Sequence, residues 1–208
     1  GFDAFKLFME YRMALFFIFS ILLGAALQLS NMYGDAYLSS FPKGTLVEKY
    51  STIIYSISQV SETIFILTIP FFLKRFGIKN VMLFALFAWV LRYGFFAYGS
   101  ADIGLLLIVL SCIVYGMAFD FFLISGSMYV EANTDGKIRS SAQGLFIMMT
   151  NGIGAYIGTV ASSFLIGRYY ILPSGQTDWH GAWLFFAGYS LVVALLFLLL
   201  FKEKQKAL

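Results

Sequence analysis

Residues Ile103–Met128 read IGLLLIVLSCIVYGMAFDFFLISGSM, and this stretch decides the fold. Asp120 is the single charged side chain within it. An α-helix rises about 1.5 Å per residue, so roughly 20 apolar residues cross the hydrocarbon core of a bilayer, which is about 30 Å thick. The stretch is therefore long enough and apolar enough to be a membrane-spanning helix.

Five other stretches share this character and run at about Met13–Tyr33, Thr52–Leu73, Val81–Tyr98, Ser141–Ile166 and Trp183–Phe201. The connections between them are short and polar, and two of them, Gly34–Tyr50 and Arg168–His180, contain Pro and Gly turn signals. The pattern predicts an all-α integral membrane protein, a bundle of six transmembrane helices that forms one domain over residues 1–208.

The composition excludes several other classes of protein. Hydrophobic residues make up 60% of the chain and charged residues 12%, against about 25% charged in soluble domains. The net charge of +3 is spread over short loops, which argues against nucleic-acid binding. Cys112 is the single cysteine and His180 the single histidine, and the sequence contains neither HExxH nor GxSxG. We therefore expect no metal, no cofactor and no enzyme.

Lysine and arginine predict the orientation, because they are enriched on the cytoplasmic side of membrane proteins. Ten lie at one set of helix ends: Lys6, Arg12, Lys74, Arg75, Lys79, Lys137, Arg139, Lys202, Lys204 and Lys206. Three lie at the other: Lys43, Lys49 and Arg168. Both termini are therefore expected in the cytoplasm. Since the chain starts at Gly1 with an amphipathic lead, Phe2–Arg12, we also expect it to be a segment of a longer protein.

Polar side chains within the predicted spans are the main indication of function. Gln59 and Glu62 are three residues apart and share a helix face, and Gln28 and Asn31 have the same spacing. A carboxylate at the centre of a membrane helix costs about 2.5–3.5 kcal/mol on insertion scales. Glu62 therefore needs a partner, a water-filled cavity or a proton.

The fourth span adds Tyr115, Phe119 and Asp120. Counted from the outer helix ends at 1.5 Å per residue, Gln28 lies roughly 14 Å deep, Glu62 about 17 Å, Tyr115 about 18 Å and Asp120 about 25 Å. Polar groups from three helices thus lie near one level. This coincidence favours a substrate cavity over scattered interhelical hydrogen bonds, which remain the alternative.

The residue types indicate the kind of ligand. Amides and carboxylates offer donors and acceptors and the aromatic rings offer flat faces, which suits a neutral ligand with hydroxyls and a planar ring. Burial disfavours the charged form of a carboxylate, so Glu62 and Asp120 are both candidates for proton coupling. Arg92 is the one cation within a span, and it is expected either to snorkel outward or to remain buried.

Two further pairs of residues can each be interpreted in two ways. Gly154 and Gly158 are spaced for close helix packing, with a flexing gate as the other interpretation. Glu131 and Arg139, at the inner ends of the fourth and fifth spans, either form a gate latch or only help to set the topology.

Several strings of the sequence resemble the C-terminal half of bacterial nucleoside permeases, members of the nucleoside:proton symporter family within the major facilitator superfamily. The strings are FFIFS (16–20), QLSNM (28–32), SISQVSET (56–63), IPFFL (69–73), GIKNV (77–81), VYG (114–116), AFDFF (118–122), SAQG (141–144) and MMTNG (148–152). The resemblance covers nearly the whole chain.

The resemblance implies spans seven to twelve of a twelve-helix carrier in the bacterial cytoplasmic (inner) membrane, which takes up a nucleoside such as uridine or adenosine with a proton. The ligand-contacting positions that it implies are Gln28, Asn31, Gln59, Glu62, Tyr115 and Phe119. Asp120 matches the family's protonation position. The implied partners are nucleosides, protons, the lipid bilayer and an N-terminal six-helix half.

Two departures from the family pattern stand out: the connection after the first span is shorter, and Leu123 takes the place of a polar residue. The change at Leu123 is expected to alter specificity among nucleosides. A porter for a sugar or peptide, or a bundle that binds without transporting, remains an alternative function.

Overall fold

The fold is all-helical in the computed structural model, which describes residues 2–202. A 3-10 helix, Phe2–Met9, precedes α1 (Tyr11–Ser39), α2 (Leu46–Lys49), α3 (Ser51–Ala97), α4 (Leu105–Ala132), α5 (Arg139–Ile147), a π-helical turn (Met148–Gly154), α6 (Ala155–Tyr169) and α7 (Trp179–Leu200). Helix α5, the π turn and α6 form one rod, Arg139–Tyr169. The described residues include five helices long and apolar enough to cross a membrane: α1, α3, α4, this rod and α7. Lys204 and Lys206, used to predict the orientation, lie outside the described residues.

Helix α3 is not straight. Its 47 residues would extend about 70 Å as one rod. Gly77 interrupts it with φ 76° and ψ 168°, a conformation that glycine adopts readily because it has no Cβ. Phe72 and Phe84 flank this break, and their ring centroids are 6.4 Å apart, whereas twelve residues of straight helix would separate them by about 18 Å. Helix α3 therefore consists of two arms that fold back on each other at Gly77.

The predicted loop at Gly34–Tyr50 is wrong at its first end, whereas its last residue, Tyr50, directly precedes α3 as predicted. Helix α1 continues to Ser39, and Leu46–Lys49 forms the short helix α2. The extension of α1 is held by packing, since the buried Tyr37 donates a hydrogen bond from its hydroxyl to the Phe96 carbonyl at 2.8 Å. The turn that Pro42 and Gly44 predict is confirmed between α1 and α2: the Thr45 amide donates to the Pro42 carbonyl at 3.2 Å, and Gly44 has φ 88°.

Helix crossings are close where glycines meet a neighbouring backbone. A Cβ on Gly116 of α4 would lie 2.5 Å from the Ser61 carbonyl carbon in the first arm of α3. A Cβ on Gly158 of α6 would lie 2.8 Å from Ala25 Cα of α1. A Cβ on Gly154 would similarly lie 2.6 Å from the Ile21 carbonyl oxygen. These contacts favour the packing interpretation of the Gly154 and Gly158 pair.

A cluster of aromatic rings fills the core between the second arm of α3, the end of α1 and the start of α7. Tyr93 and Trp183 stack with centroids 5.5 Å apart and planes 11° apart. The Tyr93 hydroxyl donates to the Ala26 carbonyl, and the Tyr189 hydroxyl of α7 donates to the Leu22 carbonyl at 2.6 Å. These bonds fix α1 against α3 and α7, and so fix the level of its polar residues.

Candidate functional site

The first arm of α3 is registered against α4 by Ser61. Its hydroxyl donates to the Ile113 carbonyl and accepts from the Gly116 amide at 3.3 Å. Because Gly116 has no side chain, the two backbones approach closely at this point. Glu62, the next residue, is thereby placed beside Tyr115, which precedes Gly116.

The aromatic pair predicted from the sequence is formed. The rings of Tyr115 and Phe119 stack with centroids 5.8 Å apart and planes 7° apart. Trp89 meets Tyr115 edge-on at 5.8 Å. Tyr115 is buried and Phe119 is half-buried, so the outer ring of the stack presents an accessible flat surface.

The two acids of the predicted site differ in their burial. Glu62 is half-buried and directly follows Ser61, whose hydroxyl accepts from the Gly116 amide of α4. Asp120 is 5% exposed. Its Oδ2 is buried without a hydrogen-bond partner among the described residues.

The amides of the predicted site are half-buried or exposed. Gln59 precedes Glu62 by one turn and is exposed. On α1, Gln28 is half-buried and Asn31 is exposed. Ser30, which lies between them, joins α1 to the arms of α3: its carbonyl accepts from the Tyr55 hydroxyl at 3.1 Å and its hydroxyl accepts from Arg92.

Arg92 does not snorkel, so that alternative is wrong. The side chain is fully buried, its Nε donates to the Ser30 hydroxyl at 3.0 Å, and one terminal nitrogen donates to the Ser111 carbonyl at 2.8 Å. The guanidinium carbon lies 4.5 Å from the Tyr115 ring centroid. The sequence shows that a cation lies within a predicted span, but it does not show the direction in which the side chain points. Ser30, Ser111 and Tyr115, which contact Arg92, come from α1 and α4.

Other candidate residues have structural partners. A nitrogen of Arg139 lies 3.6 Å from a Glu131 carboxylate oxygen, and Ser127 and Gln143 exchange hydrogen bonds beside this ion pair. His180 Nδ1 lies 2.6 Å from the Ala97 carbonyl. Cys112 is buried as a free thiol, and the described residues contain no cluster of side chains suited to a metal ion.

Comparison with known proteins identifies the family. The match to the nucleoside H+ symporter family extends over residues 1–206. The chain belongs to this family. Its relatives include the nucleoside permease NupG of Escherichia coli strain K12, which is 54% identical over 99% of this chain and 50% of its own length. The xanthosine permease of the same strain is 51% identical over 97% of this chain and 49% of its own length.

A solved structure of this symporter family has the same fold. The crystal structure of the nucleoside transporter NupG matches with a TM-score of 0.90 and 54% identity, over 98% of this chain and 51% of that one. The chain therefore spans about half the length of the relatives that it matches. It is a multi-pass membrane protein with a transporter fold, and the curated relatives above are named as permeases.

Proposed function

We propose that this chain is one half of a carrier that moves a nucleoside together with a proton into the bacterial cytoplasm, and that it supplies one wall of the substrate site. The observation that carries the proposal is the group of Glu62, Tyr115, Phe119 and Asp120 on two packed helices, in which Glu62 and Phe119 are half-buried. Membership of the nucleoside H+ symporter family supports both the substrate class and the proton.

The architecture of the proposal is a bundle of six crossings that corresponds to spans seven to twelve of a major facilitator carrier. The fold-back of α3 at Gly77 supports this count, because each arm is about as long as one span. An even count brings both ends of the segment to the same side of the membrane. The excess of lysine and arginine at that side favours the cytoplasmic face of the inner membrane.

The proposed site binds the nucleoside by stacking and by hydrogen bonds. The base packs on the Phe119 and Tyr115 stack, where one ring is already half exposed. The amides of Gln28, Asn31 and Gln59 and the carboxylate of Glu62 bond base edges and ribose hydroxyls. Since an unpaired buried polar group costs about 1–3 kcal/mol, a nucleoside that lacks one of these hydroxyls should bind roughly tenfold more weakly or worse.

Asp120 is the proposed proton carrier of the cycle. Its unpartnered Oδ2 can accept a proton without breaking a hydrogen bond within the described residues. We propose that Asp120 binds a proton from outside, that neutralisation permits the two halves to close around the site, and that the proton leaves to the cytoplasm. Alternating access of this kind needs a second six-helix bundle facing this one.

Uptake by the full-length transporter that contains this segment tests the proposal. Labelled uridine should accumulate when an inward proton gradient is imposed, and unlabelled adenosine should compete while glucose and dipeptides do not. The six-helix segment alone should give no uridine counterflow in liposomes. If Glu62→Gln and Asp120→Asn both leave affinity and accumulation intact, the assignment of the acids is wrong; competition by glucose alone would make the protein a sugar porter.

A further inference from the structure

A cavity of about 390 Å³ lies between the start of α1 and the end of α7. Small-molecule sites usually have volumes of about 300–1,000 Å³, so this cavity is large enough to hold a ligand. The residues that line it are Tyr11, Arg12, Leu15, Leu199, Leu200, Phe201 and Lys202. The cavity therefore shares no lining residue with the proposed nucleoside site.

The wall that α7 contributes is apolar. Phe201 is buried, and its ring packs on those of Phe197 and Tyr129 at centroid distances of 4.7 and 5.2 Å. Leu199 is 66% exposed and Leu200 is 46% exposed. The cavity thus has a firmly packed aromatic wall, and the leucines next to it are free to contact an apolar ligand.

The same cavity contains two cations. Arg12 is half-buried and Lys202 is exposed. Within the described residues neither of them forms an ion pair. Glu10, which precedes α1, is exposed and does not line the cavity. The cavity therefore combines an apolar wall with two positive charges that residues 2–202 do not neutralise.

The cavity also lies at a defined depth in the membrane. Helix α1 begins at Tyr11 and α7 ends at Leu200, whereas the predicted spans begin at Met13 and end at Phe201. The cavity is therefore placed where the bundle leaves the hydrocarbon. Tyrosine rings are enriched at this boundary, and long cationic side chains extend from it towards the headgroups.

We propose that this cavity binds the phosphate headgroup of an anionic phospholipid, and that the acyl chains of the lipid lie along Leu199 and Leu200. The charge excludes a match to a zwitterionic lipid, and the apolar wall offers nothing to a free anion. Basic pockets between transmembrane helices on the cytoplasmic side are a recognised type of site for anionic headgroups. The choice of the inner leaflet rests on the orientation proposed above, while binding itself does not depend on the nucleoside site.

Titration of a short-chain lipid into the purified full-length transporter tests this site. Dioctanoyl phosphatidylglycerol should bind saturably in detergent, measured by calorimetry, and dioctanoyl phosphatidylcholine should bind at least tenfold more weakly. Each Lys or Arg near an anionic lipid surface contributes roughly fivefold to binding, so Arg12→Gln combined with Lys202→Gln should raise the Kd for phosphatidylglycerol at least tenfold.

The matched control is Lys74→Gln combined with Arg75→Gln. It removes two exposed cations of α3 that do not line the cavity, and the Kd for phosphatidylglycerol should change less than threefold. Inorganic phosphate should not displace the lipid, because it makes no contact with the apolar wall. If the Arg12 and Lys202 double variant does not fold, each single variant is compared with Lys74→Gln and should show a roughly fivefold rise in Kd.

Four results would overturn the proposal. Equal weakening by the two double variants, or equal binding of the two lipids, would show that the cavity does not select an anionic lipid. Displacement by inorganic phosphate would make it a site for free anions. Binding of phosphatidylglycerol only after deletion of residues 203–208 would show that the chain itself occupies the cavity. Uridine uptake by the same preparation reports separately on the proposed function.

Discussion

Glu62 and Asp120 are both acids in membrane-embedded helices, and their neighbours set them apart. Glu62 is half-buried on the first arm of α3, while Asp120 is buried and its Oδ2 has no hydrogen-bond partner among residues 2–202. A half-exposed carboxyl group can serve as a hydrogen-bonding partner for a ligand. An acid with a free oxygen can gain and lose a proton at less cost. The pair is therefore suited to two different tasks.

The first prediction at this scale concerns Asp120. Asp120→Asn should abolish uridine accumulation driven by a pH gradient and preserve counterflow, because the amide keeps the shape of the side chain but cannot carry the proton. Both are measured in the same vesicles with labelled uridine. Glu62→Gln is the matched control, expected to raise KM while accumulation persists. Normal accumulation by the Asp120→Asn protein would contradict this division of tasks.

The second prediction concerns Phe119. Phe119→Ala removes the accessible ring of the stack, and base–aromatic stacking is worth about 1–3 kcal/mol. The apparent Kd for uridine should therefore rise roughly 5- to 150-fold, measured by competition on purified full-length protein. Phe164→Ala removes a ring exposed on α6 and should leave the affinity unchanged. Equal affinities for Phe119→Ala and the parent protein would exclude stacking at this position.

At the scale of the elements, the site depends on how closely α3 and α4 cross. Ser61 forms hydrogen bonds to the backbone of α4 at two points. The close approach is possible because Gly116 has no side chain. Overpacking at such a contact typically costs about 1–3 kcal/mol. The crossing thus contributes to stability as well as to the placement of Glu62 beside Tyr115.

Gly116→Ala should therefore destabilise the protein. At about 2–4 °C per kcal/mol for a chain of this size, the expected drop in Tm is roughly 2–12 °C in detergent, followed by thermal unfolding. Gly167→Ala is the control, because a Cβ there meets nothing within 4 Å. A Gly116→Ala protein as stable as the control would show that the crossing can relax without cost.

The sequence predicts these elements unevenly, for physical reasons. Hydropathy predicts the apolar spans, because contact with lipid requires apolar side chains along the whole span. Helical spacing predicts that Gln59 and Glu62 lie on one face of their helix. The extension of α1 through Tyr37 depends on a bond to Phe96, and the burial of Arg92 depends on Ser30 and Ser111. Such long-range partners leave no local pattern. The π turn at Met148–Gly154 likewise has no sequence signal of its own.

At the scale of the whole molecule, the placement of the amides argues that another surface covers the site. Gln59 and Asn31 are exposed on helices that the bilayer surrounds. Polar groups that face hydrocarbon without a partner cost several kcal/mol each, so this face is suited to a water-filled cavity rather than to lipid. The half-length match to the relatives agrees with a second bundle that encloses it.

Cysteine labelling of the full-length transporter tests whether this face lines an aqueous cavity. Gln59→Cys should react with a membrane-impermeant maleimide, and saturating uridine should slow the reaction, since the ligand occupies the same face. Ile64→Cys is the matched control: it is also exposed on α3, but at about 100° per residue it lies roughly 140° round the helix, and it should stay unlabelled in lipid. The native Cys112 is buried and gives little background. Only a face that lines the substrate cavity is both accessible to water and in contact with the substrate. Labelling of Ile64→Cys at the rate of Gln59→Cys, or the absence of protection by uridine, would therefore show that the Gln59 face of α3 does not line this cavity.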